Sequence, residues 1–255
     1  MNTLIDNSIV RLCLAKFSGI FVRAFDVIRL LPIRAYRIFI HFRDRIQLFI
    51  KEPRELFNIP SHLYWWFELL FYIGDILGLG EIYETLADIV KFNSRPLTPE
   101  ELKIVQTFFP SSLNASRLRI DEHSFIGPRS HHFAYVSFYT INSWGPMQES
   151  IFVHELTHVW QYHQLGSVYI PRALRAQFSQ DGYDYGGLSN LVRAVETGRG
   201  LADFNLEQQG DIIADYHRLL NGSHTRWGLG SIDDIWVYEK LMSDLRKSEE
   251  RDLAA

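Results

Sequence analysis

The 255-residue sequence holds one cysteine, Cys13, which excludes an internal disulfide framework and any cysteine-built zinc module. A small buried apolar thiol is the role expected of it. A long uninterrupted hydrophobic run is also missing. The nearest, residues 63–80, is interrupted by Glu68 and Asp75, each costly in hydrocarbon. It reads as a buried helix with its two acids turned outward. Residues 1–7 carry an acid and no base, the wrong opening for a secretory signal. The positive excess of a general nucleic-acid binder is absent too, because the net charge is −4, and no nucleic-acid partner is expected.

What is present is an ordinary globular composition, 47% apolar and 22% charged, on a chain long enough for one large or two small domains. The charge is unevenly spread. Residues 11–54 hold ten Lys/Arg against three acids, a net +7, which leaves −10 for residues 55–255 once Asp6 is counted. Within residues 10–50 the apolar side chains recur at helical spacing (Val10, Leu14, Phe17, Phe21, Phe25, Ile28, then Phe39, Phe42, Ile46, Phe49), with arginines on the flanks. Pro32 should divide this stretch into two helices. Such a basic amphipathic region can lie on an anionic membrane surface, or dock on the rest of the protein with its arginines solvated; docking is the expectation. A second helical run covers about 62–92.

Prolines break the chain near residue 93, where we place a boundary between a helical N-terminal region (1–92) and a second domain (93–255). Thr98-Pro99-Glu100-Glu101 reads as a helix start, with Thr98 as the cap. Residues 117–121 and 132–141 alternate and are rich in aromatic and β-branched side chains, the pattern of two strands of a small sheet. Residues 149–165 form a helix ended by Gly166, and a glycine-rich stretch follows at 179–200. Helix resumes near Asn205 and stops near Asn221-Gly222, and a last amphipathic helix is set by Ile235, Tyr238, Leu241 or Met242, and Leu245. The predicted fold is α+β and mainly helical, with a small sheet beside the helix of residues 149–165.

That helix carries the chemistry. His154 and His158 stand four apart, on one helix face, and can share one metal ion. With 10 histidines and 15 glutamates in the chain, chance arrangement gives the full His-Glu-x-x-His pattern of residues 154–158 only ~0.02 times. Zinc suits imidazole, and three protein ligands plus a water make the catalytic arrangement. Glu155 is then placed to take a proton from a zinc-bound water whose pKa falls to about 7. A third ligand is expected among Glu207, Asp211 and Asp215, which lie at i, i+4 and i+8 of one helix. With Glu207 as ligand, Asp211 is placed to accept the N–H of a bound imidazole. Asp211 as the ligand instead, or an exposed acidic stripe without a ligand, stays open at this point. Tyr183, Tyr185 and His217 are candidates to stabilise an oxyanion. His131 and His132 read as a polar strand edge, and His163 lies off the ligand stripe.

These motifs resemble a known family. His154-Glu155-Leu156-Thr157-His158 looks like the zinc signature of the zincin metallopeptidases, and Glu207 with Asp211 resembles the glutamate–aspartate element of the gluzincin branch. Together with residues 95–101 and 116–120, they resemble the Vgr/Rhs-associated bacterial metallopeptidases, a domain also found in contractile injection loci. The resemblance covers about residues 93–222. It implies a zincin-like fold, one zinc held by His154, His158 and Glu207, and Glu155 as the catalytic base. It further implies an effector or toxin delivered into a target cell by a contractile, type VI-like secretion machine, with the periplasm as one destination. The partners implied are a protein or peptide substrate, a secretion spike and an immunity protein. Membrane contact through residues 10–50 comes from the residues alone. The chain departs from the family in its 48 residues between His158 and Glu207 and in its N-terminal 92 residues, which match nothing in the resemblance. Two rival readings are a non-catalytic zinc module and a zinc amidase acting on cell-wall cross-links. The strand near 133–141 is expected to border the cleft and pair with an extended substrate, and residues 179–200 to form the rim.

Overall fold

Proline and glycine set the helix boundaries at the N-terminal end. Pro32 occupies the first turn of its helix, where a missing N–H costs nothing, and the chain breaks at Leu30 between α1 (Asn2–Arg29) and α2 (Leu31–Lys51). Asn58 caps α3 (Ile59–Ile76) by accepting the Ser61 N–H at 3.2 Å. Gly78, at φ 69°, turns the chain into α4 (Leu79–Val90). The computed structural model describes residues 2–91, 93–110, 113–124, 127, 129–130 and 133–243, with side chains from Lys16 onward. The side chains of Val10, Cys13 and Leu14, and residues His131, His132 and Leu245, lie outside the described residues. Two compact units result, Met1–Phe92 with Gly166–Val168, and Asn93–Leu165 with Tyr169–Ala255.

The first unit reverses the usual distribution of side chains. Among its described residues, twenty-seven large hydrophobic side chains are exposed, including Phe25 of α1, Phe39 of α2, Trp66 of α3 and Leu86 of α4. The hydrophobic side chains it buries are Leu69, Tyr72 and Val168, whereas Asp26, Arg34, His41, Arg45, Glu68, Asp75 and Glu81 are all buried. The expectation of outward acids at Glu68 and Asp75 is therefore overturned, as is that of solvated arginines at Arg34 and Arg45, whereas Arg29 and Arg43 are exposed. The reason is pairing. Arg34 bonds the Asp75 carbonyl at 2.7 Å and pairs with Glu81; Arg23 bonds Thr85 and Asp88, both at 2.8 Å. Arg45 bonds Ser61 and His62, both at 2.8 Å, and the Asp75 carboxylate accepts the Ser167 N–H at 3.0 Å. These partners make the burial of the charges tolerable, although Asp26 Oδ2, Arg45 Nε and Glu81 Oε2 make no hydrogen bond among the described residues. No described helix is long and apolar enough to cross a membrane.

In the second unit Thr98 caps α5 (Pro99–Phe108) in a reciprocal capping box with Glu101. Three short strands follow: β1 (Arg119–Asp121), β2 (Ala134–Ser137) and β3 (Thr140–Ser143). The sheet order is β1-β3-β2, with Ile120 paired in parallel to Ile141 and Val136 antiparallel to Ile141. What the alternation presents as one strand over 132–141 is a hairpin, because Phe138 adopts φ 59° and reverses the chain. The inward Ile120 and Ile141 share one core with Leu156 and Val159 of α6 (Glu149–Leu165), so the small sheet packs beside this helix. Two helices were not anticipated, α7 (Tyr169–Gln177) and α8 (Gly187–Glu196); the second occupies half of the glycine-rich stretch expected to be rim. Asn205 caps α9 (Leu206–Leu220), and α10 covers 235–243. The result is a mainly helical α+β architecture.

Asp215 of α9 is fully buried and organises the far side of this unit. Its carboxylate accepts from the Tyr185 hydroxyl (2.6 Å), Arg218 (2.6 Å), and the backbone N–H groups of Arg226 (2.7 Å) and Trp227 (3.2 Å). Replacing it with alanine leaves four donors unmet and Arg218 without its buried partner. Asp215→Ala is expected to cost about 3–5 kcal/mol, read as a lower melting temperature by circular dichroism. An unchanged melting temperature would refute this account.

Candidate metal centre

Helices α6 and α9 pack against one another so closely that a side chain at the crossing is not tolerated. A Cβ added at Gly210 would lie 2.7 Å from the His154 ring, so glycine is what lets α9 approach the histidines. The Asn205 cap, which accepts the Gln208 N–H at 2.9 Å, starts α9 so that Glu207 falls in its first turn. There the helix dipole favours a carboxylate.

The donor atoms converge. His154 Nε2 lies 3.2 Å and His158 Nε2 3.4 Å from the same Glu207 oxygen, and the three ligand atoms fall within 4.8 Å of one another. All three residues are buried. The outer nitrogens are tied back: His154 Nδ1 donates to Asp211 at 2.8 Å and His158 Nδ1 to Gln161 Oε1 at 2.8 Å. Gln161 is itself held by donating to the Leu206 carbonyl (2.9 Å) and to Gln209 (3.0 Å). Asp211 is held in turn by the Trp227 indole and by Arg226 at 3.2 Å. Both imidazoles therefore present Nε2 inward in a fixed tautomer, as divalent-metal ligands do. Glu155 lies beside them, buried, with Oε2 making no hydrogen bond. Two imidazoles, one carboxylate and an unsatisfied neighbouring carboxylate oxygen fit a zinc-type ion with room for a water.

Electrostatics report the same strain. Burial alone would lower His154, but hydrogen bonds to Asp211 and Glu207 and the charge of Glu155 overcome it and raise it to about 10. For His158 burial is likewise overcome by Glu207, and its value is raised. Glu207 would be raised by burial, yet the two histidines drive it down to about 2. Burial raises Glu155 against the pull of both histidines. Without a metal, protons on the imidazoles supply the cluster's positive charge.

The residues open onto a cleft of about 470 Å³. Its wall includes Phe133 and Ala134–Val136 of the edge strand β2, with Tyr169, Tyr183, Arg218 and Arg226. Of the three candidate oxyanion donors, Tyr183 alone lines it. Tyr185 is directed to Asp215 and to the Tyr238 hydroxyl (3.0 Å), and His217 packs on Phe108 with Nε2 3.4 Å from Glu149. Neither borders the cleft. From the glycine-rich 179–200 stretch the cleft takes only Tyr183. Gln161, Tyr169, Arg226 and Trp227 escaped the sequence reading. Gln161 sits one turn beyond His158 and was open to detection by that spacing, whereas Arg226 and Trp227 carry no such signal.

No protein-family profile matches the chain, and no solved structure matches it. Among curated proteins it is similar to the type VI secretion system spike protein VgrG2b of Pseudomonas aeruginosa, 27% identical over 137 residues. The match covers 48% of this chain and 13% of that relative, so the chain spans a small part of the relative's length.

Two outcomes follow from the geometry. Gly210→Ala, though it favours helix, should push His154 away from Glu207 and weaken zinc binding by about 10–100-fold in a competition titration, as loss of ligand orientation does. Wild-type affinity in this variant would refute the close-approach argument. Second, a ligand nitrogen must be free of its proton, and His154 holds one up to about 10. Zinc binding near pH 7 should therefore release about one to two protons, and apparent affinity should climb as pH rises towards 10. Calorimetry in buffers of different ionisation enthalpy measures the release, and a pH-independent affinity would contradict it.

Proposed function

We propose that the chain is a zinc-dependent metallopeptidase, an effector delivered by a bacterial type VI-like secretion machine. One observation carries the reading: His154, His158 and Glu207 converge beside the buried, unsatisfied Glu155 carboxylate at the floor of a cleft. When bound, zinc supplies Lewis acidity and makes a water nucleophilic near neutral pH. The chain's own residues do the rest. Asp211 and Gln161 keep both imidazoles in the ligand tautomer. Burial lifts Glu155 above the ordinary carboxylate range, which suits a base that takes a proton from water and later returns it to the leaving amine nitrogen. Tyr183 is held well above the ordinary phenol range by burial and by Glu207, so its hydroxyl stays protonated and can donate to an oxyanion. Arg226, 5.6 Å from the Tyr183 ring, adds positive charge on that side.

The edge strand β2 supports a peptide as substrate, since an extended chain can lie along it in the cleft. Similarity to a secretion spike supports association with type VI secretion, and with it a bacterial protein delivered out of its cell of origin. A spike and an immunity protein are the partners this role entails.

Glu155→Gln should keep stoichiometric zinc and the fold while peptide hydrolysis falls by about 10²–10⁴, because proton transfer is lost without loss of a ligand. Elemental analysis together with a proteome-wide cleavage assay reads both quantities. Undiminished cleavage by Glu155→Gln would rule out the mechanism. Zinc without any cleavage by the parent protein would favour the non-catalytic module.

A further inference from the structure

The inverted unit of α1–α4 is not explained by peptide hydrolysis. In water, an exterior of this kind is unfavourable, because apolar surface is left in contact with solvent. The exposed side chains are not confined to one face that a single partner would cover: all four helices contribute, as Phe21, Ile46, Leu70 and Ile89 illustrate. Exposed charge is scarce. Between Lys16 and Lys91 it comprises Arg29, Arg43, Asp44, Lys51, Glu52 and Arg54, and Arg43 pairs with Asp44 at 2.7 Å.

The polar groups meanwhile face one another. Arg23 with Asp88, Arg34 with Glu81, and His41 with Glu68 at 3.7 Å join different helices inside the unit. Hydrocarbon demands this arrangement, since it offers a polar group no partner. Helix by helix, the charged inner faces keep the average hydropathy low; packed together, the four helices hide those faces from their surroundings. Arg29 precedes α2 and Lys51 ends it, and 21 residues of helix span about 30 Å, which is about the thickness of a bilayer's hydrocarbon core. The exposed cations at those ends, Arg29 before α2 and Lys51 with Arg54 after it, suit anionic headgroups.

We infer that the unit of α1–α4 seats in the acyl-chain layer of an anionic phospholipid bilayer, with its apolar exterior against lipid and its ion pairs inside. This is distinct from surface adsorption and does not rest on the peptidase reading.

The test uses the full chain with vesicles of phosphatidylethanolamine and phosphatidylglycerol. Flotation should survive high salt, which screens charge but not hydrophobic contact. Trp66, exposed on α3, should be quenched by lipids brominated on their acyl chains, and Trp66→Phe should remove that component. Phe39→Glu combined with Ile46→Glu changes two exposed positions and should cut the floated fraction by about tenfold or more, with circular dichroism unchanged. Phe178→Glu, exposed in the other unit, should leave flotation as it was. Release by salt would reduce the contact to headgroup adsorption and overturn the inference. So would a chain that ignores vesicles and forms stoichiometric dimers or a complex with a soluble protein, since the apolar exterior would then be a protein interface.

Discussion

The buried cluster of imidazoles and carboxylates between α6 and α9 is the constraint on which the second unit depends. Glu155, Glu207 and Asp211 are three acids placed almost out of reach of water. Left alone, such charges repel and resist desolvation by several kcal/mol each, of order 10 kcal/mol together. They persist because positive charge lies between them, protons on His154 and His158 or a divalent ion in their place. Much of the surrounding structure serves that compensation. Gly210 brings α9 within reach, Asn205 sets its first turn, and Gln161, Arg226 and Trp227 fix the outer atoms of the cluster.

The same requirement, that every buried charge find a partner, is met differently in the two units. In the second, charges cluster at one locus inside an apolar core that includes Phe108, Leu118, Ile141 and Ile212. In the first, ion pairs and hydrogen bonds occupy the interior itself, and the apolar residues lie outside. Buried ion pairs are a weak source of stability in water, where their desolvation offsets much of their attraction. In a surrounding that cannot hydrate the charges, the same pairs become obligatory. The interior of α1–α4 is thus consistent with hydrocarbon around it, whereas that of the second unit is built for water.

Helical periodicity explains why this contrast was out of reach beforehand. A repeat at 3.6 residues marks two faces of a helix and says nothing about which faces inward. Assigning the apolar face inward is correct for α6, where Leu156 and Val159 are fully buried, and incorrect for α2 and α3, where Phe39 and Leu70 are exposed. The hairpin at Phe138 is hidden in the sequence for a related reason. Alternation continues through a two-residue reversal, so β2 and β3 look like one strand until the positive φ of Phe138 is seen. The missed α7 and α8 lie after Gly166 and within a run of glycines, where local signals speak for loop and tertiary packing decides otherwise.

What the sequence by itself determined is local and covalent in scale. Four-residue spacing puts His154 and His158 on one helix face, Gly166 ends a helix, Pro32, Thr98 and Asn205 mark helix starts, and one cysteine rules out a disulfide scaffold. Tertiary structure alone decided which acid meets the histidines. Glu207, Asp211 and Asp215 share one helix face and are equivalent by spacing, but the crossing of α9 over α6 separates them. Glu207 points to both Nε2 atoms, Asp211 reaches a single Nδ1, and Asp215 turns to Tyr185 and Arg218. The same packing decided that Tyr183 rather than Tyr185 borders the cleft. The physical reason is common to both. Spacing along a chain fixes directions within one helix, whereas the partner across a gap is set by how two helices pack.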